Sequence, residues 1–170
     1  MANPIKDSEP VSVLTSIKAR LEYVYQDVTR LQEISSPGLI LHPADRDLFS
    51  PPRVPLVGIA AAQAHEEGLV AATCGTMAME VESITVGGGG VFACVMGMLR
   101  AEVQDEDEDQ VQGSRGDGKD KKCAGGSRRN RRRRIEMAFC GLWRFDDAGR
   151  AVEHWENAAD PAALSWLLRE

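Results

Sequence analysis

Apolar residues recur at spacings of three and four from Leu14 through Ile17, Leu21, Val24 and Val28 to Leu31. That stripe lies on one face of an α-helix, because residues three and four apart are neighbours on its surface. The spacing predicts one long helix that begins near Ser8 to Pro10 and stops at the SSPG break. A short LILH segment and a Pro-rich loop, SPPRVP, come next. VGIAAAQAHEEGLVAATCG then reads as an Ala-rich helix with Gly75 as its C-terminal stop. From TMAMEVESITV onward the period changes to two, the repeat of a strand with one buried face. GGGG turns this strand into VFACVMGMLRAEV, and IEMAFCGLWRF, the DDAGR turn and AVEHWEN form a second hairpin. DPAALSWLL closes the series as a short helix, with Asp160 as N-cap and Pro161 at the first position. Helices first and an antiparallel sheet afterwards predict an α+β layout, with the helices packed on one face of the sheet.

Between the two central strands the pattern breaks down. Residues 104–134 read QDEDEDQVQGSRGDGKDKKCAGGSRRNRRRR, an acidic run followed by a basic one, with hardly any apolar side chain. Such a segment cannot bury enough surface to offset its ordering entropy. It is expected to be a disordered insertion in a single domain spanning 1–170, with VFACVMGMLRAEV and IEMAFCGLWRF as hairpin partners around it. The arginine run from Arg128 to Arg134 can be read as a nuclear import signal or a nucleic-acid patch. Against nucleic acid stand the absence of interleaved aromatic residues, the nearby DEDED and the acidic balance of the chain, net charge -6. A solvated charged loop is the favoured reading, and nuclear import the second.

Composition adds exclusions. The chain of 170 residues, 43% of them hydrophobic, fits a soluble domain with a fair-sized core. No apolar run approaches the roughly 18 residues that span a bilayer, and MANPIKDSEPVS has no apolar signal core, so a cytoplasmic protein is expected. Four cysteines are too few and too scattered for a disulfide framework; Cys74, Cys94 and Cys140 read as small core residues. No CxxC pair or His/Cys cluster has ligand spacing, so no metal is expected.

Candidate chemistry sits on the last strand. In RAVEHWENAAD, alternation places Val152, His154 and Glu156 on one face and Ala151, Glu153 and Trp155 on the other. An imidazole and a carboxyl side by side in a cavity are candidate proton-transfer groups. On a solvated face they are ordinary polar residues.

The order of helix, HP-containing segment, second helix and two long hairpins, closed by FDDAGRAVEHWENAAD, resembles the SnoaL-like group of the NTF2-like superfamily. The likeness covers roughly residues 10–103 and 135–168 and is most specific at the closing strand. It implies a cone-shaped barrel, in which a strongly curved antiparallel sheet wraps a pocket closed by the N-terminal helices. It also places the family's catalytic carboxyl on Glu156, where the cyclases usually have aspartate, and its neighbouring histidine on His154. A further histidine of some cyclases falls near Gly141 and is missing. His42, beside Pro43, and Asp47 match pocket positions. Tyr25, Phe139 and Trp143, with Met96, Met98, Val24 and Val28, are the expected substrate-contacting walls. His65 reads as structural or exposed. The expected reaction is cyclisation or isomerisation, less so dehydration, of a hydrophobic polyketide-type carbonyl compound without a cofactor, with burial raising the pKa of Glu156. Trp155, outside the cone, suggests a homodimer. The alternative is a non-catalytic binding module docked through its Arg-rich loop.

Overall fold

The structure, a computed structural model, describes residues 9–104 and 132–167. Its elements are α1 (Glu9–Gln26), a short α2 (Leu31–Ile34), β1 (Ser35–His42), β2 (Leu56–Val57), α3 (Ile59–Ala72), β3 (Ala78–Gly87), β4 (Phe92–Gln104), β5 (Arg132–Phe145), β6 (Ala151–Ala158) and α4 (Pro161–Leu167). Six strands form one sheet in the order β2-β1-β6-β5-β4-β3. The sheet is curved but not closed, so the expected barrel is an open one. It is also not wholly antiparallel: β1 runs parallel to β6, with Leu41 opposite His154 and His42 opposite Trp155.

The long predicted helix is broken. At Asp27 the backbone is extended (φ -156°), and its carboxylate accepts hydrogen bonds from the backbone N–H and hydroxyl of Thr29, starting a 3-10 turn over Val28–Arg30. An aspartate that captures nearby donors favours a cap over a helix interior. The apolar stripe still continues through the break, and Ile17, Leu21, Val24, Val28, Leu31 and Ile34 are all buried. SSPG, expected to end a helix, is the beginning of β1.

β4 and β5 pair without interruption from Phe92 opposite Arg144 to Gln104 opposite Arg132. Gln104 and Arg132–Arg134, expected to lie in the insertion, therefore belong to strands; the rest of it, 105–131, lies outside the described residues. Odd-numbered residues of β4 and β5 face the concave side, where Val95, Leu99, Phe139, Trp143 and Phe145 are buried. This phase corrects two expected wall residues, since Met96 and Met98 point the other way and Met96 is 52% exposed. Gly97 is required on the concave side, because a Cβ there would collide with the carbonyl of Glu80 beside the register shift of β3. None of the cysteines expected in the core is fully buried: Cys74 is exposed, and Cys94 and Cys140 are half-buried with their sulfurs 3.6 Å apart. Asp160 caps α4 by accepting the N–H of Ala163. No described helix is long and apolar enough to cross a membrane.

Candidate functional site

Between the N-terminal helices and the concave face lies a cavity of about 50 Å³. Its walls are apolar, with Val24, Val28, Leu69, Met79, Leu99 and Phe139 among them, and its polar groups are Tyr25, Glu66, Trp143, His154, Glu156 and Asn157. Alternation along β6 brings His154 and Glu156 to this face, opposite Trp143 and Gly141 of β5.

His154 is 4% exposed, and its ring lies flat on the indole of Trp143, centroids 3.6 Å apart. Neither of its ring nitrogens has a hydrogen-bond partner among the described residues. Burial pushes its pKa down to about 4, against the pull of the Glu156 charge, so the ring is neutral at pH 7.

Glu156 behaves oppositely to expectation. Burial alone would raise it, but the hydrogen bond and charge of His65, the adjacent His154 and a hydrogen bond from Glu66 outweigh burial and hold it well below the usual carboxylate range. Its Oε2 lies 3.1 Å from His65 Nε2 and accepts the backbone N–H of Ala44 at 3.2 Å. The group that burial does raise is Glu66 of α3, 5% exposed, whose pKa is lifted further by the charge of Glu156. Two carboxyls in contact cannot both ionise cheaply, so one proton is retained; it sits on Glu66, which donates it to Glu156.

Tyr25 and Trp143, both expected wall residues, meet at the same place. Tyr25 Oη accepts the indole N–H at 3.1 Å, and its ring stacks on Phe139. Burial raises the Tyr25 pKa, so the phenol keeps its proton and can donate it. All these polar atoms converge over Gly141: a Cβ there would collide with Tyr25 Oη and come within 3.2 Å of His154 Nε2. The histidine that some cyclases carry at this position would have no room.

His42 and Asp47 do not line this cavity. Parallel pairing with Trp155 puts His42 on the convex face, where it stacks on that indole at 5.1 Å and lies 2.9 Å from Glu153 Oε1. Asp47 is in a turn after β1 with its side chain 78% exposed, beside Arg46. The buried acid of that turn is Asp45, 3.3 Å from Arg53. Burial works against a charge on His65, but the hydrogen bond and charge of Glu156, with a smaller pull from Asp45, raise its pKa all the same. His65 itself, expected to be structural or exposed, is half-buried, with 9% of its side chain accessible, and holds Glu156. Glu66 escaped the sequence reading because α3 is apolar nearly all round and shows no clear polar face. A signal was present: Ala62, Glu66 and Leu69, at i, i+4 and i+7, form one buried row.

No protein-family model matches the chain, and no curated protein matches it in sequence. Solved structures do resemble it. Bal32a from a soil-derived mobile gene cassette superposes with a TM-score of 0.63 at 16% identity, over 95% of this chain and all of that one. A steroid delta-isomerase from Pseudomonas aeruginosa gives 0.59 at 12% identity, over 92% of this chain and 89% of the other. A candidate SnoaL-like polyketide cyclase from Jannaschia sp. CCS1 gives 0.56 at 16% identity, over 100% and 99% of the two chains. With the open curved sheet and the helix-covered pocket in place, these likenesses identify the fold of the chain as that of the SnoaL-like, NTF2-like proteins.

Proposed function

We propose that the chain is a cofactor-independent acid/base enzyme, a cyclase or isomerase acting on a hydrophobic carbonyl compound. The observation that carries this reading is His154: a buried neutral imidazole with no hydrogen-bond partner at either nitrogen among the described residues, set beside an anionic carboxylate in an apolar cavity. Buried polar groups that serve only structure are almost always hydrogen-bonded, and perturbed titratable groups cluster at reacting sites.

In this reading the roles divide as follows. Neutral His154 takes a proton from the carbon next to the carbonyl, and the C–H electron pair moves into the enolate. Glu156, ionised and fixed by His65 and Ala44, stabilises the imidazolium that forms. The proton-accepting role expected of Glu156 thus passes to His154, because a carboxylate held this far down is the weaker base. Tyr25 donates to the developing oxyanion, and protonated Glu66 is the acid that returns a proton. Holding both reacting ends in one pocket supplies the remaining acceleration for ring closure. A cavity of about 50 Å³ takes only a few water-sized groups, so in this conformation it fits the reacting carbonyl fragment and not a whole polycyclic skeleton. The same copy of the fold is proposed to act as a homodimer through its convex face.

The reading can be tested without knowing the substrate. Small hydrophobic ketones and 1,3-dicarbonyl compounds in D₂O should exchange their α-protons faster with the protein than with buffer, as followed by NMR. His154→Ala and Glu156→Gln should each slow that exchange by about 10²-fold or more. Variants that exchange at the wild-type rate, or a wild type inert toward every probe, would sink the proposal.

A further inference from the structure

We propose that Glu66, His154 and Glu156 form a binding site for one divalent transition-metal ion, with zinc(II) and cobalt(II) as the ions it suits best. One ligand atom from each residue lies within 4.8 Å of the other two. They come from two elements, α3 and β6, and all three line the same cavity. Ligand atoms around a tetrahedral zinc stand about 3.3 Å apart, given metal–ligand distances near 2.0 to 2.2 Å. Closing from 4.8 Å is therefore a movement of about 1.5 Å at most, within the reach of a glutamate side chain.

Three features point to a cation here and not to a mere acidic cluster. His154 is 4% exposed, faces the carboxyls and, among the described residues, leaves both ring nitrogens without a partner. A buried imidazole with a free lone pair is an unused ligand. Carboxylate oxygens of Glu66 and Glu156 lie within 4.8 Å of each other, an arrangement that a positive centre between them relieves, either a proton or a metal ion. Glu156 is already oriented from behind by His65 and the Ala44 N–H, the outer contacts that hold a ligating carboxylate in position. One nitrogen and two carboxylates suit borderline ions such as zinc, cobalt or manganese better than magnesium, which prefers oxygen alone. The cavity leaves room for a water or a substrate oxygen in a remaining coordination position. The site stands on this geometry whether or not the proton-transfer reading is right, and an ion in it would occupy the groups that reading uses.

The test is direct binding to the full chain after chelator treatment. Titration with Co²⁺ should give visible d–d absorption that saturates at one ion per chain and is displaced by Zn²⁺. Glu66→Gln mimics the protonated carboxyl in shape, so it should fold and melt like the wild type, yet weaken the site at least about 100-fold. His154→Phe keeps a ring against Trp143 and should abolish the absorption. Glu153→Gln, on the other face of β6, should bind like the wild type. Ions held elsewhere, as at the DEDED run, would survive both site variants. Saturation unchanged by Glu66→Gln and His154→Phe, or no Co²⁺ absorption at millimolar ion, would overturn the proposal.

Discussion

His154 makes the site visible in the pH dependence of folding. Its pKa falls from an ordinary 6.5 to about 4 on folding, chiefly through burial. A lowered histidine pKa means that the unfolded chain binds a proton near pH 6.5 that the folded chain refuses until about pH 4. Stability is therefore lost as pH falls through that window, by up to about 3 kcal/mol. Glu156, depressed in the fold, contributes stability above the usual carboxylate pKa and loses it only at lower pH, as protons reach its folded pKa. His65, raised in the fold, acts on the other side: its contribution is complete below its ordinary 6.5 and fades as pH rises through its higher folded value. Urea unfolding from pH 4 to 7.5 with chelator present should show a smaller acid-side loss for His154→Phe than for the wild type. Parallel curves would mean that His154 is not buried neutral. The pairing of His154 and Glu156 could be read from alternation alone. Which of the carboxyls carries a proton could not, because that depends on Glu66, a residue on a different element about ninety positions away.

At the scale of elements, β5 holds the site together through a missing side chain. Gly141 lies opposite Glu156, and the space over its Cα is filled by the hydroxyl of Tyr25, the indole nitrogen of Trp143 and the imidazole of His154. Gly141→Ala should push the phenol away, break the Trp143–Tyr25 hydrogen bond and destabilise by about 1–3 kcal/mol, the usual range for overpacking. Removing the colliding oxygen should restore space, so Gly141→Ala with Tyr25→Phe should recover much of the lost stability. If the double variant is as unstable as the sum of the singles, the collision is not with Tyr25. The period-two pattern made β3 to β6 legible, and its continuity across residues 104 and 132 was hidden only because polar and basic residues fill the ends of that hairpin. Pairing with a neighbouring strand overrides such composition. β1 was harder. LILH showed that a strand existed, but nothing local says that it docks parallel to β6 with His42 turned outward. That register is a long-range fact, and it is why His42 was expected in a pocket that it does not reach. Asp27 is the reverse case: a local capping residue breaks the helix that the apolar stripe running through it predicts.

The whole molecule leaves one surface unexplained by the pocket. On the convex face Phe92, Met96 and Leu142 are 51%, 52% and 43% exposed, and Leu142 lies opposite Trp155 in the sheet. Apolar residues grouped on a curved sheet mark a contact surface more often than scattered single ones do. The His42–Trp155 stack stiffens one edge of this patch, and the Arg144–Glu153 pair at 2.7 Å borders it with opposite charges that a two-fold axis can match to themselves. A second copy packed sheet on sheet would cover these side chains, and closed two-fold dimers are the commonest assembly. Light scattering at tens of micromolar protein should report twice the chain mass of 18.5 kDa. Leu142→Lys and Trp155→Lys place a charge in the middle of the contact and should give soluble monomers. Neither residue faces the cavity, so α-proton exchange per chain should persist in those monomers if the pocket is complete within one copy. A wild type that scatters as a monomer, or charged variants that remain dimeric, would remove the convex face as the contact.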